Sequence, residues 1–516
     1  MADITILVKG GQLVPAHDQP AIANGAVAVT GDRVEAVGSY AELSARYPDV
    51  QVIGGDDFLL IPGLINGHSH GRGLTDFQRG ALDNTLESWR FETHNKFVPV
   101  STYDDSAYSA ARLLKSGVTA TMHNHPLADP TDFATQFEDA LRAYRDAGMR
   151  VLFCPSITND NPFIYGDNTT FLAGLSEGTR RILTSPLPPG ALTADKYVGV
   201  VADLHASHND SMCRIGFGPL APQWCTKALL QDIQREADRL GAMIHIHALQ
   251  TIFQKRYGLK FLGKSLMAYM NDLGLLGRNL VIGHCVFPTE SDISLLAGTD
   301  TGVTHHPSCN LRVRNGIAPA YHMLQAGVRV GLGLDGKSIN DDDDFIQEMK
   351  MCFLLHRVPS LELDSPHLSA RQVFRMATET GSTLLGYGNE LGRLERGRKA
   401  DMVLLNYREM CRPFVHPSHD PIETLLYRGQ GRHVHTVMVN GRVVVENGRL
   451  LTLDEDAIGS RLAAAASRPR SDKQNDVVRA MDEVKAHVVQ YFRGWTEGME
   501  VAPFFHLNSR IDGFKR

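Results

Sequence analysis

The stretch Leu59-Leu60-Ile61-Pro62-Gly63-Leu64-Ile65-Asn66-Gly67-His68-Ser69-His70 runs an apolar segment into two histidines one residue apart. In a strand, residues two apart point the same way, so His68 and His70 project together from one strand end. Taken alone, the pair reads equally well as polar loop residues or as metal ligands. What lies further along the chain decides. Leu59–Ile65 is the first of eight apolar runs, followed by Val118–Met122, Arg150–Cys154, Arg214–Gly218, Ala242–His247, Leu280–His284, Gly302–His305 and Val328–Leu334. A segment long enough for a helix separates each run from the next. Eight such units predict an α/β fold whose core is a closed parallel (β/α)8 TIM-like barrel rather than an open sheet.

The runs also end alike. His247 closes the fifth, His284 the sixth, and Asp335 follows the eighth. In a barrel all of these side chains reach the rim where catalytic groups gather. Converging imidazoles are costly unless something uses them, and a divalent cation is the usual user. Three imidazoles and one carboxylate suit zinc, iron(II), manganese or cobalt, with a position left open for water. His245 shares a face with His247 one layer deeper and is expected to be a hydrogen-bonded core histidine. His123 and His125 either line the pocket or bond loop backbone. His305 and His306 are expected to be rim structure, and Asp341–Asp344 a solvated loop.

Outside the barrel the texture changes. Ile4–Lys9, Ala26–Val29 and Arg33–Val37 read as short strands, and so do Ala400–Leu405 and Val434–Val445, the last with a hairpin signal at Asn440-Gly441. Residues 1–58 and 396–450 are therefore expected to form one small β-sandwich domain from both ends of the chain, around a 59–395 barrel. Residues 451–516 form a C-terminal helical extension, with a helix over Asp476–Phe492.

The 516 residues are 43% apolar and 21% charged, with a formal net charge of −6. This balance gives no reason to expect a nucleic-acid or membrane-surface partner. No apolar run approaches the ~20 residues of a membrane span. The N-terminus has no basic region leading into an apolar core, and the seven cysteines are scattered, so a cytoplasmic protein with reduced thiols is expected.

Pro62-Gly63-Leu64-Ile65-Asn66-Gly67-His68-Ser69-His70, the strand-end His247 and His284, and Leu334-Asp335-Gly336 together resemble the amidohydrolase superfamily. Gly392-Arg-Leu-Glu-Arg-Gly397-Arg-Lys-Ala400-Asp401 resembles the segment by which that family returns to its β domain. Gly218-Pro219-Leu-Ala-Pro222 and Pro307-Ser308-Cys309-Asn310 are similar to turns of its cytosine deaminase and s-triazine hydrolase (chlorohydrolase) branch. The resemblance covers roughly residues 1–450. It implies one divalent metal ion, zinc or else iron, manganese or cobalt, held by His68, His70, His247 and Asp335. His284 would stand beside it against the substrate. Binuclear relatives use a lysine on the fourth strand, and Arg214-Ile-Gly-Phe-Gly-Pro-Leu220 has none.

Deaminases of this branch carry His-x-x-Glu, whereas this chain reads His247-Ala-Leu-Gln250. An amide neither gives nor takes a proton at neutral pH. Gln250 then orients substrate or merely caps the next helix. The resemblance implies a hydrolase in which activated water displaces a leaving group from an electron-poor carbon (C–N, C–halogen or C–S) of a small N-heterocyclic or urea- or amidine-like substrate. The catalytic residues would be Asp335, His284 and Gln250. The alternative is an aminohydrolase releasing ammonia from an amino-purine, amino-pyrimidine or aminotriazine. Trp89 and Trp224 are candidates to stack on a flat ring, with Phe163 and Tyr165 weaker ones; Lys337 and Ser338 are placed to reach substrate. A homo-oligomer is expected from the fold class.

Overall fold

The computed structural model describes residues 6–95, 98–127, 129–357, 363–364 and 366–497. Both ends of the chain meet in one eight-stranded mixed sheet. Its strands are β1 (Ile6–Leu13), β2 (Ile22–Thr30), β3 (Arg33–Ser39), β4 (Gln51–Pro62), β14 (Met402–Asn406), β15 (Val434–Val439), β16 (Arg442–Glu446) and β17 (Arg449–Leu450), in the order β17-β16-β15-β14-β4-β1-β2-β3. Alternation lets it bury both faces. Val8, Val27, Leu60 and Met402 pack on one side, and Leu7, Ala26 and Ala28 meet Leu43 of a short helix on the other.

The barrel strands are β5 (Leu64–Ser69), β6 (Val118–His125), β7 (Arg150–Ile157), β8 (Cys213–Ile215) continued by β9 (Gly218–Pro219), β10 (Ile244–Ala248), β11 (Leu280–His284), β12 (Gly302–His305) and β13 (Arg329–Leu332). Pairing runs β5-β6-β7-β8 and β10-β11-β12-β13, all parallel. A parallel bridge between Phe217 and Ile244 joins the two arcs. At the other seam Asp335 N donates to His68 O at 3.0 Å, and Leu334 N donates to Asn66 Oδ1 at 3.0 Å.

Two expected strands differ in detail. Leu59–Ile65 is not one strand: Leu59–Pro62 ends β4 against β1 and β14, and the barrel begins only at Leu64. Gly63 makes the turn where a Cβ would lie 2.2 Å from Thr119 Oγ1. Periodicity could not see the break because both halves are apolar. The Arg214–Gly218 run is likewise interrupted between β8 and β9, where Gly216 and Phe217 bond across to β7 and Met243 instead.

The extension forms two helices, Glu455–Ala466 and Asp472–Arg493, the latter four residues earlier than expected because Ser471 caps it in a capping box with Gln474. Ala480, Val484, Val488 and Phe492 recur every fourth residue and are buried. That stripe lies against the barrel helix Leu86–Asn95, and Tyr491 Oη donates to Tyr165 O at 2.6 Å. The rest of the extension, from 498, lies outside the described residues.

One ion pair ties the barrel to the β sheet. Arg150, fully buried at the start of β7, reaches Asp401 through Nε at 2.8 Å and Nη2 at 2.9 Å, and Nη2 also meets Asn440 Oδ1 at 2.7 Å. Replacing Asp401 by Ala strands that guanidinium in a dry seam. Urea unfolding should show a loss of about 3–5 kcal/mol, whereas a loss below about 1 kcal/mol would contradict this role.

Candidate metal centre

The C-terminal ends of the barrel strands bring His68, His70, His247 and Asp335 together, with one ligand-type atom of each lying within 4.8 Å of the others. His68 Nε2 and His70 Nε2 both lie 3.0 Å from Asp335 Oδ1, and His247 Nε2 lies 3.2 Å from His68 Nε2. Backbone geometry puts them there. Gly67 precedes His68 where a Cβ would meet Leu332 O at 2.9 Å, so β5 can approach β13 closely enough to aim His68 inward. Asp335 sits at φ 55° and His284 at φ 72°, left-handed positions that non-glycine residues rarely adopt. Such strain costs roughly 1–3 kcal/mol per residue and persists where surrounding structure demands it.

The proton inventory tests whether these residues fit a cation. His70 Nδ1 lies 2.9 Å from Asn124 O, and His247 Nδ1 lies 2.8 Å from Leu220 O. A carbonyl oxygen only accepts, so both rings carry their proton on Nδ1. Each Nε2 of the neutral ring is then a bare lone pair. One faces the carboxylate Oδ1 of Asp335 and the other faces His68 Nε2. The His70 lone pair and the Asp335 carboxylate, acceptor against acceptor at 3.0 Å, repel unless a cation lies between them. Backbone carbonyls fixing the tautomer of an imidazole are also the usual support of a metal ligand. The donor set fits.

Electrostatics agree. Burial holds His68 below the ordinary histidine range, and burial plus the neighbouring rings holds His247 well below it. Burial alone would raise the Asp335 carboxyl, but His68 and His70 more than offset this and hold it well below the usual carboxylate range. A neutral imidazole set beside an ionised carboxylate is what a divalent cation binds.

Around this centre several expectations need correction. His245 is buried but not hydrogen-bonded: neither ring nitrogen has a partner among the described residues, and the ring stacks on His68 at 4.7 Å. His306 is not rim structure. It stacks on the other side of His68 at 4.7 Å, with its Nδ1 3.2 Å from His284 Nδ1 and 3.9 Å from Asp335 Oδ2. His305 points away from the axis to His356, 3.0 Å between Nε2 atoms. His123 and His125 are buried and contact each other at 3.3 Å. The Asp341–Asp344 run is not a solvated loop. Asp341 pairs with Arg312, Asp343 is buried near Arg112, and Asp344 caps the helix Phe345–Leu355.

His284 Nδ1 lies 2.9 Å from Asn310 Oδ1, and its Nε2 faces Asp335 Oδ2 at 3.5 Å. Cys309 Sγ lies 2.8 Å from that same Oδ2. The short helix Pro307–Arg312, which carries Cys309 and Asn310, is anchored by Glu348, whose carboxyl oxygens accept from Ser308 N at 3.0 Å and from Ser308 Oγ. Burial pushes the Glu348 carboxyl up to about 8. Gln250 follows β10 and is buried. It does not cap the next helix through its side chain; Thr251 does, while Gln250 N donates to Gln254 Oε1 at 2.8 Å. Lys337 is engaged by Asp76 at 2.7 Å and Asp83 at 3.1 Å and lies over the Trp89 ring, so its charge is already balanced. Ser338 Oγ turns back to the backbone of Asp342 and Asp343. Trp224 is buried under Arg90, with Tyr165 beside it, while Phe163 stacks on Phe171.

Sequence reading takes His306 for rim structure and Cys309 and Asn310 only for part of a family turn, and it passes over Glu348 and Glu87. For His306, Cys309 and Asn310 the signal is their place within five residues of the end of β12. Glu87 and Glu348 lie inside helices with nothing to mark them. Glu87 Oε1 accepts from Thr251 Oγ1 at 2.5 Å and Tyr165 Oη at 3.2 Å, while Oε2 is buried with no partner among the described residues. Burial raises its carboxyl above the ordinary range.

The buried histidines set a pH limit. Burial pushes His125 down to about 3 and His356 to about 4, from an ordinary value of 6.5. Because the folded value is the lower one, the unfolded chain takes up protons first. Stability is complete above pH 6.5 and falls as pH drops toward 4, by about 2 kcal/mol per histidine at pH 5. Tm should therefore drop between pH 6.5 and 5; a flat profile would contradict neutral burial of these rings.

The amidohydrolase family profile matches residues 59–444, and that of an imidazolonepropionase-like composite domain of bacteria matches residues 25–49. The 5-methylthioadenosine/S-adenosylhomocysteine deaminase of Syntrophomonas wolfei is 31% identical over 424 residues, covering 81% of this chain and 88% of that protein. The 5'-deoxyadenosine deaminase of Methanothermobacter thermautotrophicus is 31% identical over 472 residues, covering 90% and 99%. In fold the chain is similar to an adenosine deaminase from Xanthomonas campestris with bound zinc (TM-score 0.75, 23% identity, 92% of this chain and 99% of that one). It is also similar to the zinc-complexed atrazine chlorohydrolase of Arthrobacter aurescens TC1 (TM-score 0.73, 23% identity, 90% and 100%). The chain belongs to the amidohydrolase family of metal-dependent hydrolases.

Proposed function

We propose that His68, His70, His247 and Asp335 hold one divalent cation, zinc by their three nitrogens and one oxygen, and that the protein hydrolyses a small N-heterocyclic substrate at an electron-poor ring carbon. The single observation that carries this reading is the set of lone pairs locked toward one point by the Asn124 and Leu220 carbonyls. Iron, manganese or cobalt would satisfy the same donors. When bound, the cation supplies Lewis acidity that brings the pKa of water toward about 7.

The chain's own groups divide the remaining work. Asp335 turns Oδ1 to His68 and His70 and Oδ2 to His284 and Cys309, so Oδ2 is the oxygen that takes the proton from the attacking water. His284, held by Asn310 and buried, orients and stabilises the group under attack. Asp335 then returns its proton to the leaving group. Gln250 orients substrate by hydrogen bonds only, which favours leaving groups that need less help than ammonia. Lys337 covers one face of Trp89, which leaves the opposite face for a flat ring, while Trp224, buried under Arg90, supports the wall behind it.

A second reading, an aminohydrolase acting on an adenine-type nucleoside, is favoured by what the relatives are named for and by Glu87. Its buried carboxyl receives the hydroxyl of Thr251, the residue after Gln250, and can supply the proton that an amide cannot. A screen of halogenated, thioether, amino and alkylamino purines, pyrimidines and triazines separates the two. The first reading expects chloride, thiol or amine release to outpace ammonia; ammonia as the dominant product, abolished by Glu87→Gln, would establish the second. No described helix is long and apolar enough to cross a membrane. The seven thiols are unpaired, five of them buried, which suits a cytoplasmic enzyme.

A further inference from the structure

On the outer side of the barrel wall, His305, Cys352 and His356 come together, with one ligand-type atom of each lying within 4.8 Å of the others. We propose that these three side chains hold a structural zinc ion that clamps the helix Phe345–Leu355 to β12. The group shares no residue with the four-residue centre and does not depend on the function proposed for it.

Chain geometry brings the donors to one point. His305 ends β12 and turns outward to His356, whereas its neighbour His306 stacks on His68 inside. Cys352 lies in the last turn of the helix and His356 is its C-cap, four residues on, so the two share a face. That spacing is the one by which a helix presents two ligands to one ion. His305 and Cys352 are fully buried, and His356, 7% exposed, is the member nearest solvent. Hydrogen bonding does not account for the group. His305 Nε2 and His356 Nε2 lie 3.0 Å apart, a contact that a single N–H serves. Whichever ring supplies that proton, His305 Nδ1 stays buried with no partner among the described residues. Burial and the facing ring hold His305 well below the ordinary histidine range, and burial holds His356 at about 4, so both rings are neutral, the form that binds metal. Nitrogens about 2.0–2.1 Å from zinc stand roughly 3.3 Å apart in a tetrahedron, so the two rings need little movement to admit one.

Two nitrogens and a sulfur favour Zn²⁺, Co²⁺ and Cd²⁺ over Mg²⁺ and Mn²⁺. On binding, the Cys352 S–H bond breaks, the sulfur bonds to the ion and the proton leaves to solvent. The consequence reaches the active face through the helix itself. Glu348, one turn before Cys352, holds Ser308 and with it the short helix that sets Asn310 on His284. An ion pinning this helix to β12 therefore steadies the His284 ring without touching substrate.

Cobalt reports sulfur ligation directly, because thiolate bound to Co²⁺ gives a near-ultraviolet charge-transfer band that nitrogen and oxygen ligands do not. The chelator-treated full chain is titrated with Co²⁺ under equilibrium dialysis while the spectrum is followed. The expected result is a band that saturates at one equivalent, is lost in Cys352→Ser and in His356→Asn, and persists in Asp335→Asn and Cys309→Ser. Zn²⁺ should also raise the Tm of Asp335→Asn but not that of Asp335→Asn combined with His356→Asn, a readout that stands even where Cys352→Ser fails to fold. Absence of any thiolate band at cobalt saturation would overturn the proposal. So would a band that survives Cys352→Ser and disappears in Cys309→Ser, since the sulfur ligand would then belong to the other centre. An equal rise in Tm with and without His356 would overturn it as well.

Discussion

Asp335→Asn is expected to lower kcat/KM by at least about 10³–10⁴-fold and to weaken retention of the bound cation. On the proposed reading the effect is large because one carboxylate would carry three duties: Oδ1, 3.0 Å from His68 and His70, would complete the donor set, while Oδ2, 3.5 Å from His284, would accept the proton of the attacking water and return it to the leaving group. An amide keeps the shape but carries no charge, and its nitrogen would point a donor at neutral imidazoles or at the cation. Folding should survive, since the backbone bond from position 335 to His68 O does not depend on the side chain. Steady-state kinetics with metal analysis on the same preparation checks this. Near-normal turnover in Asp335→Asn would contradict the assigned role.

Gln250→Glu is expected to change what leaves rather than how fast the best substrate is turned over. On the proposed reading, a proton carrier at position 250 should raise release of ammonia by about 10²-fold or more, with chloride or thiol release changed far less. Position 250 lies two residues beyond β10, buried, with its backbone N fixed on Gln254 Oε1. A carboxylate there is compatible with the backbone, and the proposed cation would draw it inward. The ratio of kcat/KM for amino and halo forms of one heterocycle is the readout. An unchanged ratio would mean that Glu87 or another group already carries that proton.

The strand ends were the legible part of this molecule. His68, His70, His247, His284 and Asp335 announce themselves because apolar runs of strand length terminate on them, and a barrel sends all such ends to one face. What stayed hidden was whatever depends on direction rather than position. The break at Gly63 lies inside one apolar run, so its two strands look like one until their partners are known. His305 and His306 are neighbours with nothing in the sequence to separate them, yet one packs outward on His356 and the other inward on His68. The acidic run Asp341–Asp344 reads as solvated because charge is usually exposed. Arg112 and Arg312, more than two hundred and about thirty residues distant, are what bury part of it. The extension was placed as helical from composition, but its seat on the Leu86–Asn95 helix follows from a surface only the folded barrel provides.

The central claim is that the carbonyls of Asn124 and Leu220 turn two imidazole lone pairs toward a cation shared with His68 and Asp335. Anomalous diffraction from zinc-loaded crystals of the full chain, grown at one equivalent of metal, tests it most directly. The expected result is one strong zinc peak bonded to His68 Nε2, His70 Nε2, His247 Nε2 and Asp335 Oδ1 at about 2.0–2.2 Å. A peak located elsewhere, or these four atoms free of zinc in a metal-replete crystal, would contradict it.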